Sequence, residues 1–496
     1  MALKCAAVGG LMGPGMSALS WGALRSPPDA RNSVVEENGR AGTTGGLQES
    51  RAHISTKDTL GKVTVRDFGA AGDGQSDDTE AIQQAVNSGN GDILFPAGTY
   101  RIVRSILIQL GLAGPVSLSG QGTARIVMSG KGPAFRFLGS HAGTADPSTL
   151  TPAVVEKERA PVINAIEIVG DHPDASGVEL NGTMQPLMTR LTVRKALHGI
   201  HLTGRNRNVT IGDCHGYDNR GIGIFLDQAN LHQINITGSH ISYNGQGGVV
   251  VRGGEIRNLQ IGSCDIEGNM SPQHASAANV LLDVRNGSVR EGAIVGCTLQ
   301  HSRLEDSANI RLLGPDPGQA RKVGHFTIAD NAMSDVAVNI HLKHARGVVI
   351  TGNTIWKGFR YNLLVESSSQ IVLGSNLFDR NPDYRPHESR NTIRFVDSSA
   401  CTLMGLHMTD TRGEAALSVE RSCWFNIANC TILDPEGAGV LLSDVRHSRV
   451  SGCLIRAREK EGSLALAVQG GEGNLLEGNL MVGETQIDPA ALRQER

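Results

Sequence analysis

The sequence predicts an all-β fold, a right-handed parallel β-helix with three short strands per coil and ten or more coils. An apolar residue recurs every 22 to 34 residues. Each time, a tetrad rich in Gly, Ser, Asn and Cys comes next, and another apolar or small residue stands five positions after the first. Units of this length cannot bury their apolar faces alone and must stack on their neighbours. The repeats begin at Ile211, Ile236, Ile261, Ile294, Ile328, Ile350, Val372, Leu403, Ile427 and Val450.

One repeat indicates how a coil is built. Residues 338–356 contain three apolar segments, and a Gly352-Asn353 turn separates the second from the third. Apolar and polar residues alternate within the segments, which is the period of a strand with one buried face. The predicted inward residues are Ile340, Leu342, Val348, Ile350 and Ile355. Parallel crossovers of this kind prefer the right-handed connection.

The composition favours many short strands and excludes two classes of protein. The 496 residues include 62 glycines and only 4% aromatic side chains, and most apolar residues are Val, Ile or Leu. The net charge of −3 gives no basic face of the kind that binds nucleic acid. No apolar run approaches the roughly 18 residues that a membrane-spanning helix requires.

The chain is predicted to have three parts. Residues 1–61 show no strand or helix period, and we interpret them as a leader, either a disordered tail or a poor signal peptide interrupted at Gly13-Pro14-Gly15. Residues 62–485 form the β-helix, and residues 486–496 form a C-terminal tail. A signal peptide would make the protein secreted or periplasmic, whereas a tail leaves a cytoplasmic location open.

Five cysteines share one position of the repeat. Cys214, Cys264, Cys297, Cys430 and Cys453 fall at the turn between the second and third segments, where other repeats have Ser or Asn. Such a position is a tight turn whose side chains stack from coil to coil. Coils are about 4.8 Å apart, so the pairs Cys264/Cys297 and Cys430/Cys453 could reach disulfide distance, but we expect free thiols. No spacing in the sequence predicts a metal site.

The start of the β-helix carries a recognisable motif. Residues 63–86 read Val-Thr-Val-Arg-Asp-Phe-Gly-Ala-Ala-Gly-Asp-Gly-Gln-Ser-Asp-Asp-Thr-Glu-Ala-Ile-Gln-Gln-Ala-Val, and residues 93–102 read Ile-Leu-Phe-Pro-Ala-Gly-Thr-Tyr-Arg-Ile. This segment resembles the N-terminal part of the pectate lyase and polygalacturonase superfamily, which implies the right-handed β-helix but no particular reaction. Residues 77–88 are predicted to form a capping helix. The Asp77-Asp78 pair is therefore interpreted as a helix start and not as catalytic carboxylates.

Charged residues are predicted on the outer face of the first strands in the middle coils. Alternation places two outward rows there, each rising about 4.8 Å per coil, whereas the end coils present mostly apolar or small residues. The rows bring together Asp283, Arg311, His341, Lys343, Glu366, Arg394 and Glu420. Arg and Lys bind carboxylates while His, Lys or Glu move protons, which suits an acidic saccharide. The alternative is a solvated sheet face with cross-strand ion pairs.

Long insertions are predicted to overhang this face. They are residues 267–278, 300–308, 356–361 and 378–391. Arg380-Asn-Pro-Asp-Tyr-Arg385 resembles the Arg-x-Pro-x-x-Arg element of pectate lyases, which implies that Arg380 takes the C5 proton of a uronate. Pro386-His387-Glu388 resembles part of the Asp-Pro-His motif of alginate epimerases. The insertions add the predicted substrate-binding residues Tyr361, Tyr384, Arg385, His387 and Glu388.

We predict an enzyme that acts on an acidic, uronate-containing polysaccharide by β-elimination or a related C5 proton abstraction. Arg311 and Arg394 would neutralise the substrate carboxylate, which acidifies the C5 proton. The predicted catalytic residues are His341, Lys343, Arg380 and Glu366. No cofactor is predicted, and no Trp-Ile-Asp-His-like segment supports calcium.

Two other functions remain open. A glycoside hydrolase would need a carboxylate pair such as Glu366 with Glu420. The polygalacturonase motifs Asn-Thr-Asp, Gly-His-Gly and Arg-Ile-Lys do not occur in the repeats. The remaining interpretation is a carbohydrate-binding or surface-structural β-helix without catalysis.

Overall fold

The computed structural model describes residues 62–143, 146–274, 276–316, 323–385 and 388–494. Within these ranges the strands pair in parallel, each with the strands one coil before and one coil after it. The predicted leader, residues 1–61, lies outside the described residues.

Most strands are short and the helices few, as the repeat predicts. The first strands are β1 Val63–Thr64, β2 Asp73–Asp77, β3 Asp92–Leu94, β4 Gly98–Ile102, β5 Ile106–Gln109, β6 Ser117–Met128, β7 Gly132–Leu138, β8 Val162–Gly170, β9 Ala175–Asn181, β10 Leu187–Thr189, β11 Thr192–Arg194, β12 Ile200–Gly212, β13 His215–Tyr217 and β14 Ile222–Thr237. The middle strands are β15 His240–Ser242, β16 Gly247–Gly262, β17 Asp265–Glu267, β18 Ala278–Val295, β19 Thr298–Gln300, β20 Ala308–Leu313, β21 Val323–Ala329, β22 Ala332–Met333, β23 Val336–Lys343, β24 Arg346–Thr351, β25 Thr354–Ile355, β26 Gly358–Glu366, β27 Ser369–Leu373 and β28 Leu377–Phe378. The last strands are β29 Thr392–Val396, β30 Ser399–Met404, β31 His407–Thr409, β32 Ala415–Glu420, β33 Cys423–Ala428, β34 Thr431–Leu433, β35 Ala438–Arg446, β36 Arg449–Ser451, β37 Leu454–Arg456, β38 Leu464–Glu472, β39 Leu475–Glu477, β40 Leu480–Val482 and β41 Glu484–Ile487. The α-helices are α1 Thr79–Asn87 and α2 Leu110–Ala113. Strands β6, β12, β14, β16 and β18 are 12 to 18 residues long, because the chain stays extended from one ladder into the next.

Three parallel ladders are built from these strands. Ladder A joins the second strand of each coil from β1 to β39, ladder B the third strand from β2 to β40, and ladder C the first strand from β5 to β41. Ladder C passes through β5, β7, β9, β12, β14, β16, β18, β20, β23, β26, β29, β32, β35, β38 and β41, which agrees with the prediction of ten or more coils. The architecture is a parallel β-helix, as predicted.

Alternating apolar residues fill one continuous core. The five predicted inward residues of the coil 338–356 are all 0% exposed. The cluster that contains them extends from Val65 to Ala491. Because each buried Ile or Leu contributes about 1.5–3 kcal/mol, stacking on both neighbours stabilises every coil.

One repeat is shifted from its predicted register. Val372 is 40% exposed, whereas Leu373 is fully buried and pairs with Ile350. The sequence Ile371-Val372-Leu373 fits either phase of alternation, and the choice of Val372 as the inward residue was wrong. Asn376 therefore takes the turn position that the predicted register gives to Ser375.

Buried asparagines form a ladder at the corner between ladders B and C. Each side-chain amide donates to the amide oxygen of the asparagine in the next coil, at 2.7 to 2.9 Å. The members are Asn219, Asn244, Asn269, Asn279, Asn309, Asn339 and Asn362. A shorter run of Asn331, Asn353 and Asn376 stands at the turn between ladders A and B. Paired buried amides fix the register of successive coils, because an unpaired one would be costly.

The cysteines at the same turn are free and buried, as predicted. The Cys264 backbone N–H donates to Cys297 Sγ at 3.5 Å, and Cys430 N–H donates to Cys453 Sγ at the same distance. Sulfur thus replaces the asparagine oxygen as the acceptor between coils.

Helix α1 lies within the predicted range 77–88 and buries Ile82, Ala85 and Val86 in the core. Asp77 Oδ1 accepts the Thr79 backbone N–H at 3.0 Å, which satisfies one amide of the first turn. That α1 closes the end of the solenoid stays a prediction.

Asp78 also has a structural role. Its carboxylate accepts the backbone N–H groups of Ala71 and Gly72 at 2.6 and 3.2 Å, and its side chain is buried. The interpretation of the Asp77-Asp78 pair as non-catalytic agrees with these contacts.

The β-helix continues past residue 485. Strand β41 pairs with β38 up to Ile487, and Asn474 donates to the Ala491 carbonyl at 3.0 Å. The predicted boundary of the C-terminal tail at 485 is therefore too early, because the polar sequence Glu484-Thr-Gln forms a strand that is exposed on both faces.

We expect Ile340→Asn to lower the free energy of unfolding by about 3–5 kcal/mol, since it removes a buried apolar side chain and buries an unpaired amide. The matched change Leu364→Asn lies on the outward face, where Leu364 is half-buried, and should cost less than about 1 kcal/mol. Urea denaturation of both variants measures the difference. Equal losses would contradict the assigned alternation.

Candidate active site on ladder C

The register of ladder C agrees with both predicted outward rows. The first row is Val250, Leu281, Arg311, His341, Leu364, Arg394 and Ser418. The second row is Asp227, Arg252, Asp283, Leu313, Lys343, Glu366, Val396 and Glu420. Charged side chains from successive coils therefore meet on one sheet face.

His341 and Glu366 form a close pair on this face. His341 Nε2 lies 2.7 Å from Glu366 Oε2, and the two side chains are 14% and 34% exposed. The hydrogen bond from His341 holds the pKa of Glu366 below its ordinary value, and the nearby charges of Lys343 and Arg394 act in the same direction. His341 Nδ1 is buried without a hydrogen-bond partner among the described residues. Glu366 is therefore the more accessible member of the pair.

Arg394 lines an adjoining pocket. Its guanidinium makes two hydrogen bonds to Glu420, at 2.8 and 2.7 Å, and a third to Tyr361 Oη at 3.3 Å. The hydrogen bonding to Glu420 is the main reason that the pKa of Arg394 is raised. Tyr361 lies within strand β26 and not in an insertion, because the connection between β25 and β26 is only residues 356–357.

The pocket has a volume of about 230 Å³. Its charged and hydroxyl lining comprises Tyr361, Arg390, Thr392, Arg394, Arg412, Glu414, Ser418, Glu420 and Ser443. Three arginines against two glutamates leave an excess of one positive charge. We call this set the arginine pocket.

Sequence reasoning missed two of the three arginines. Arg390 and Arg412 lie in the connections before β29 and β32, where strand alternation does not apply. Arg412 pairs with Asp410 at 3.1 Å, whereas no ion pair joins Arg390 to any described residue. Arg390 is thus the least compensated cation of the pocket.

Arg311 and Arg380 are not available to a substrate. The Arg311 side chain is 4% exposed and donates to the Ser276 and Asp306 carbonyls at 2.6 and 2.8 Å. The Arg380 side chain is 1% exposed and donates to the backbone carbonyls of Asp410 and Ser389. Both arginines hold connecting segments against the β-helix, so the predicted roles in carboxylate binding and proton abstraction do not fit their burial.

The other predicted residues are dispersed. Tyr384 packs against Trp356, with ring centroids 6.2 Å apart, and Glu388 binds Arg303 at 2.6 Å. Arg385 is exposed, and His387 lies outside the described residues. Tyr384 lies against Trp356 and Lys357, and Arg380 holds Asp410 and Ser389, so the cleft shared with His341 stays a prediction.

Asp283 is also engaged. Both its carboxylate oxygens accept from Arg285, at 2.8 and 2.6 Å. Burial is the largest single effect on its pKa and raises it, but the hydrogen bonds from Arg285 and the charges of Arg285 and Arg252 together lower the pKa below its ordinary value.

A second charged cluster lies nearer the N-terminus of ladder C. His201 Nδ1 is 3.9 Å from Glu179 and Nε2 is 3.6 Å from Asp227, while its ring stacks on Phe225 with centroids 5.1 Å apart. His198 packs on the same phenylalanine at 5.1 Å. The prediction that the end coils present mostly apolar or small residues is therefore wrong for this end. Extending the outward row from Val250 to the two preceding coils would have reached Phe225 and then His201, and so would have located the cluster.

A larger cavity of about 860 Å³ lies beside Trp424 and His447 on ladder A. It contains none of the predicted site residues. The arginine pocket is the better candidate because acid, base and carboxylate-binding groups meet there.

Three family models match separate parts of the chain. They are "Rhamnogalacturonase A/epimerase, pectate lyase-like" over residues 62–152, "Right handed beta helix region" over 158–289, and "Periplasmic copper-binding protein (NosD)" over 291–490. The chain is a right-handed β-helix with a pectate-lyase-like N-terminal segment. The resemblance drawn from residues 63–102 is confirmed.

Curated relatives match this β-helix protein only over a short segment. Alginate lyase 7 of Azotobacter vinelandii is 47% identical over 45 residues, which is 8% of this chain and 5% of the relative. Mannuronan C5-epimerase AlgE3 of the same organism is 55% identical over 42 residues, which is 8% of this chain and 2% of the relative. The matches therefore span a small fraction of either relative.

A solved structure shares the fold along most of the β-helix protein. The tailspike protein gp49 from Pseudomonas phage LKA1 has a TM-score of 0.50 and 12% identity, and the match covers 83% of each chain. Among the described residues, no helix is long and apolar enough to cross a membrane.

The histidine cluster predicts a pH dependence of stability. Burial, reinforced by the charges of His201 and Arg252, lowers the pKa of His198 from 6.5 to about 4. As the pH falls, His198 is therefore protonated in the unfolded chain before it is protonated in the folded protein. The contribution of neutral His198 to the free energy of unfolding is complete above pH 6.5 and is lost as the pH falls from 6.5 to 4.

The variant His198→Gln should flatten the fall in unfolding free energy over that interval, as measured by urea denaturation at several pH values. His407→Gln changes an exposed histidine of ladder B and is the control. An unaltered pH profile in His198→Gln would refute the assignment.

Proposed function

We propose that this β-helix protein is an enzyme of acidic polysaccharides that removes the C5 proton of a uronate bound in the arginine pocket. The observation that carries the proposal is the convergence of three arginines with the Tyr361 hydroxyl in one pocket of ladder C. The short matches to an alginate lyase and to mannuronan epimerases support the same substrate class.

Carboxylate binding falls to the arginines. Guanidinium groups bind carboxylates in a two-point geometry, and Arg390 has no acidic partner among the described residues to compete with a ligand. Neutralising the uronate carboxylate stabilises the negative charge that develops when the C5–H bond breaks. Arg394 and Arg412 line the same pocket and add to this field.

Proton removal is proposed for Tyr361 in its phenolate form, whose oxygen takes the C5 proton and becomes the neutral hydroxyl. The Tyr361 oxygen accepts a hydrogen bond from Arg394, and the positive guanidinium stabilises negative charge on that oxygen. The electron pair of the C5–H bond then either forms a C4–C5 double bond as the C4–O bond breaks, or regains a proton on the opposite face. The first outcome is a lyase reaction and the second an epimerisation.

The His341–Glu366 pair and Lys343 adjoin the pocket through Arg394. They are proposed to bind the neighbouring sugar of the chain and to return the proton to the leaving oxygen or to C5. Arg380 has no part in this proposal because it is buried.

A location outside the cytoplasm, secreted or periplasmic, belongs to the same proposal. Extended acidic polysaccharides are extracellular substrates, and the family model that matches residues 291–490 describes a periplasmic protein.

The activity is tested with a panel of alginate, pectate and glucuronate-containing polysaccharides. Ultraviolet absorbance of an unsaturated uronate reports elimination, and proton NMR reports epimerisation. New reducing ends without that absorbance would assign a hydrolase, with Glu414 or Glu420 as candidate carboxylates. Binding without any product would assign a carbohydrate-binding protein.

Tyr361→Phe is expected to lower the turnover number by about 100-fold or more, because general acid–base groups contribute factors of that size. Tyr217→Phe removes a hydroxyl from ladder B and should leave turnover unchanged. Undiminished turnover in Tyr361→Phe would overturn the assignment of the base.

A further inference from the structure

The outer face of ladder B holds a cluster that the proposed function does not use. His240 on β15 pairs in register with Asp265 on β17, and Ser242 pairs with Glu267. Because side chains two residues apart point to the same face, Glu267 projects beside Asp265. An imidazole and two carboxylates from adjacent coils therefore share one surface.

The geometry of this cluster is that of a metal-ligand set. One ligand atom from each of His240, Asp265 and Glu267 lies within 4.8 Å of the other two. His240 Nε2 is 2.9 Å from Asp265 Oδ2. Atoms bonded to one metal ion at about 2.0–2.2 Å lie roughly 3–4 Å apart, so small side-chain rotations bring all three to a common centre.

Neighbouring groups orient two of the three ligands, His240 and Glu267. The His215 ring stacks on the His240 ring with centroids 5.9 Å apart. Gln300 donates to Glu267 Oε2 at 3.2 Å, and the Tyr243 hydroxyl donates to Glu267 Oε1 at 3.3 Å. Such outer contacts are what fixes metal ligands in proteins.

One oxygen of the cluster lacks a partner. Asp265 Oδ1 is buried and has no hydrogen bond among the described residues. A buried carboxylate oxygen is expected to be satisfied, so a cation between Asp265 and Glu267 would account for it.

We propose that His240, Asp265 and Glu267 bind a divalent first-row transition ion, with Zn²⁺ as the representative. Imidazole nitrogen favours such ions over Ca²⁺ and Mg²⁺, which prefer all-oxygen sites. Three protein ligands at the surface leave a coordination position for water. The ion joins two successive coils on ladder B, a different ladder from the one that carries the arginine pocket, so its role is separate from the proposed reaction.

The test is titration of tag-free, chelator-treated full-length protein with Zn²⁺ by isothermal calorimetry, together with thermal unfolding. We expect one ion per chain and a rise in the unfolding temperature that the ion concentration controls. His240→Ala and Glu267→Gln should each weaken binding at least tenfold. Glu267→Gln keeps the shape of a half-exposed side chain, so it reports on binding even if His240→Ala folds poorly.

The matched control is His407→Ala. His407 occupies the corresponding position of a later coil on ladder B, but its neighbours in register are Leu377 and Thr431. It should leave binding unchanged. An equal loss in His407→Ala, full binding in Glu267→Gln, or no binding below millimolar Zn²⁺ would overturn the proposal.

Discussion

The structure depends on parallel coils that stack in register, and the buried asparagine ladder is the interaction that holds this register. Each amide donates to the next at 2.7 to 2.9 Å in the buried interior. A slip of one residue would leave those amides unpaired and would turn the apolar side chains outward. Register in turn aligns the outward residues into rows, so that residues far apart in sequence become neighbours on a face.

This arrangement interrupts only one of the two outward rows of ladder C. In the first row the apolar residues Phe225, Val250 and Leu281 pack together between His201 and Arg311, whereas the second row keeps Asp227, Arg252 and Asp283 in the same coils. Most charges in the two rows compensate one another, as in the Arg394–Glu420 and His341–Glu366 pairs. A substrate can be bound only by a side chain that is not already taken up in such an ion pair. Arg390 and the Tyr361 hydroxyl are two such groups, and both line the arginine pocket.

The fold was predictable because strand alternation and the repeat length are local properties of the sequence. The two outward rows followed from alternation alone, and the register agrees with them at every position. The prediction that Val372 points inward was wrong, because three consecutive apolar residues fit either phase of the inward–outward alternation. The predicted substrate roles of Arg311 and Arg380 do not fit their burial for another reason. Alternation or a short motif predicts where a residue lies on the β-helix, but it does not show whether a connecting segment covers that residue. Arg390 and Arg412 were missed because they lie in connections, and the proximity of His240 to Asp265 was missed because it exists only between coils.

The central claim is that an acidic glycan binds on ladder C at the arginine pocket. Backbone hydrogen exchange of the protein, with and without a saturating uronate oligosaccharide, tests this claim most directly. The account predicts slower exchange in β26, β29 and β32 and in the connections that carry Arg390 and Arg412. Protection confined to strands of ladder A or ladder B would contradict it.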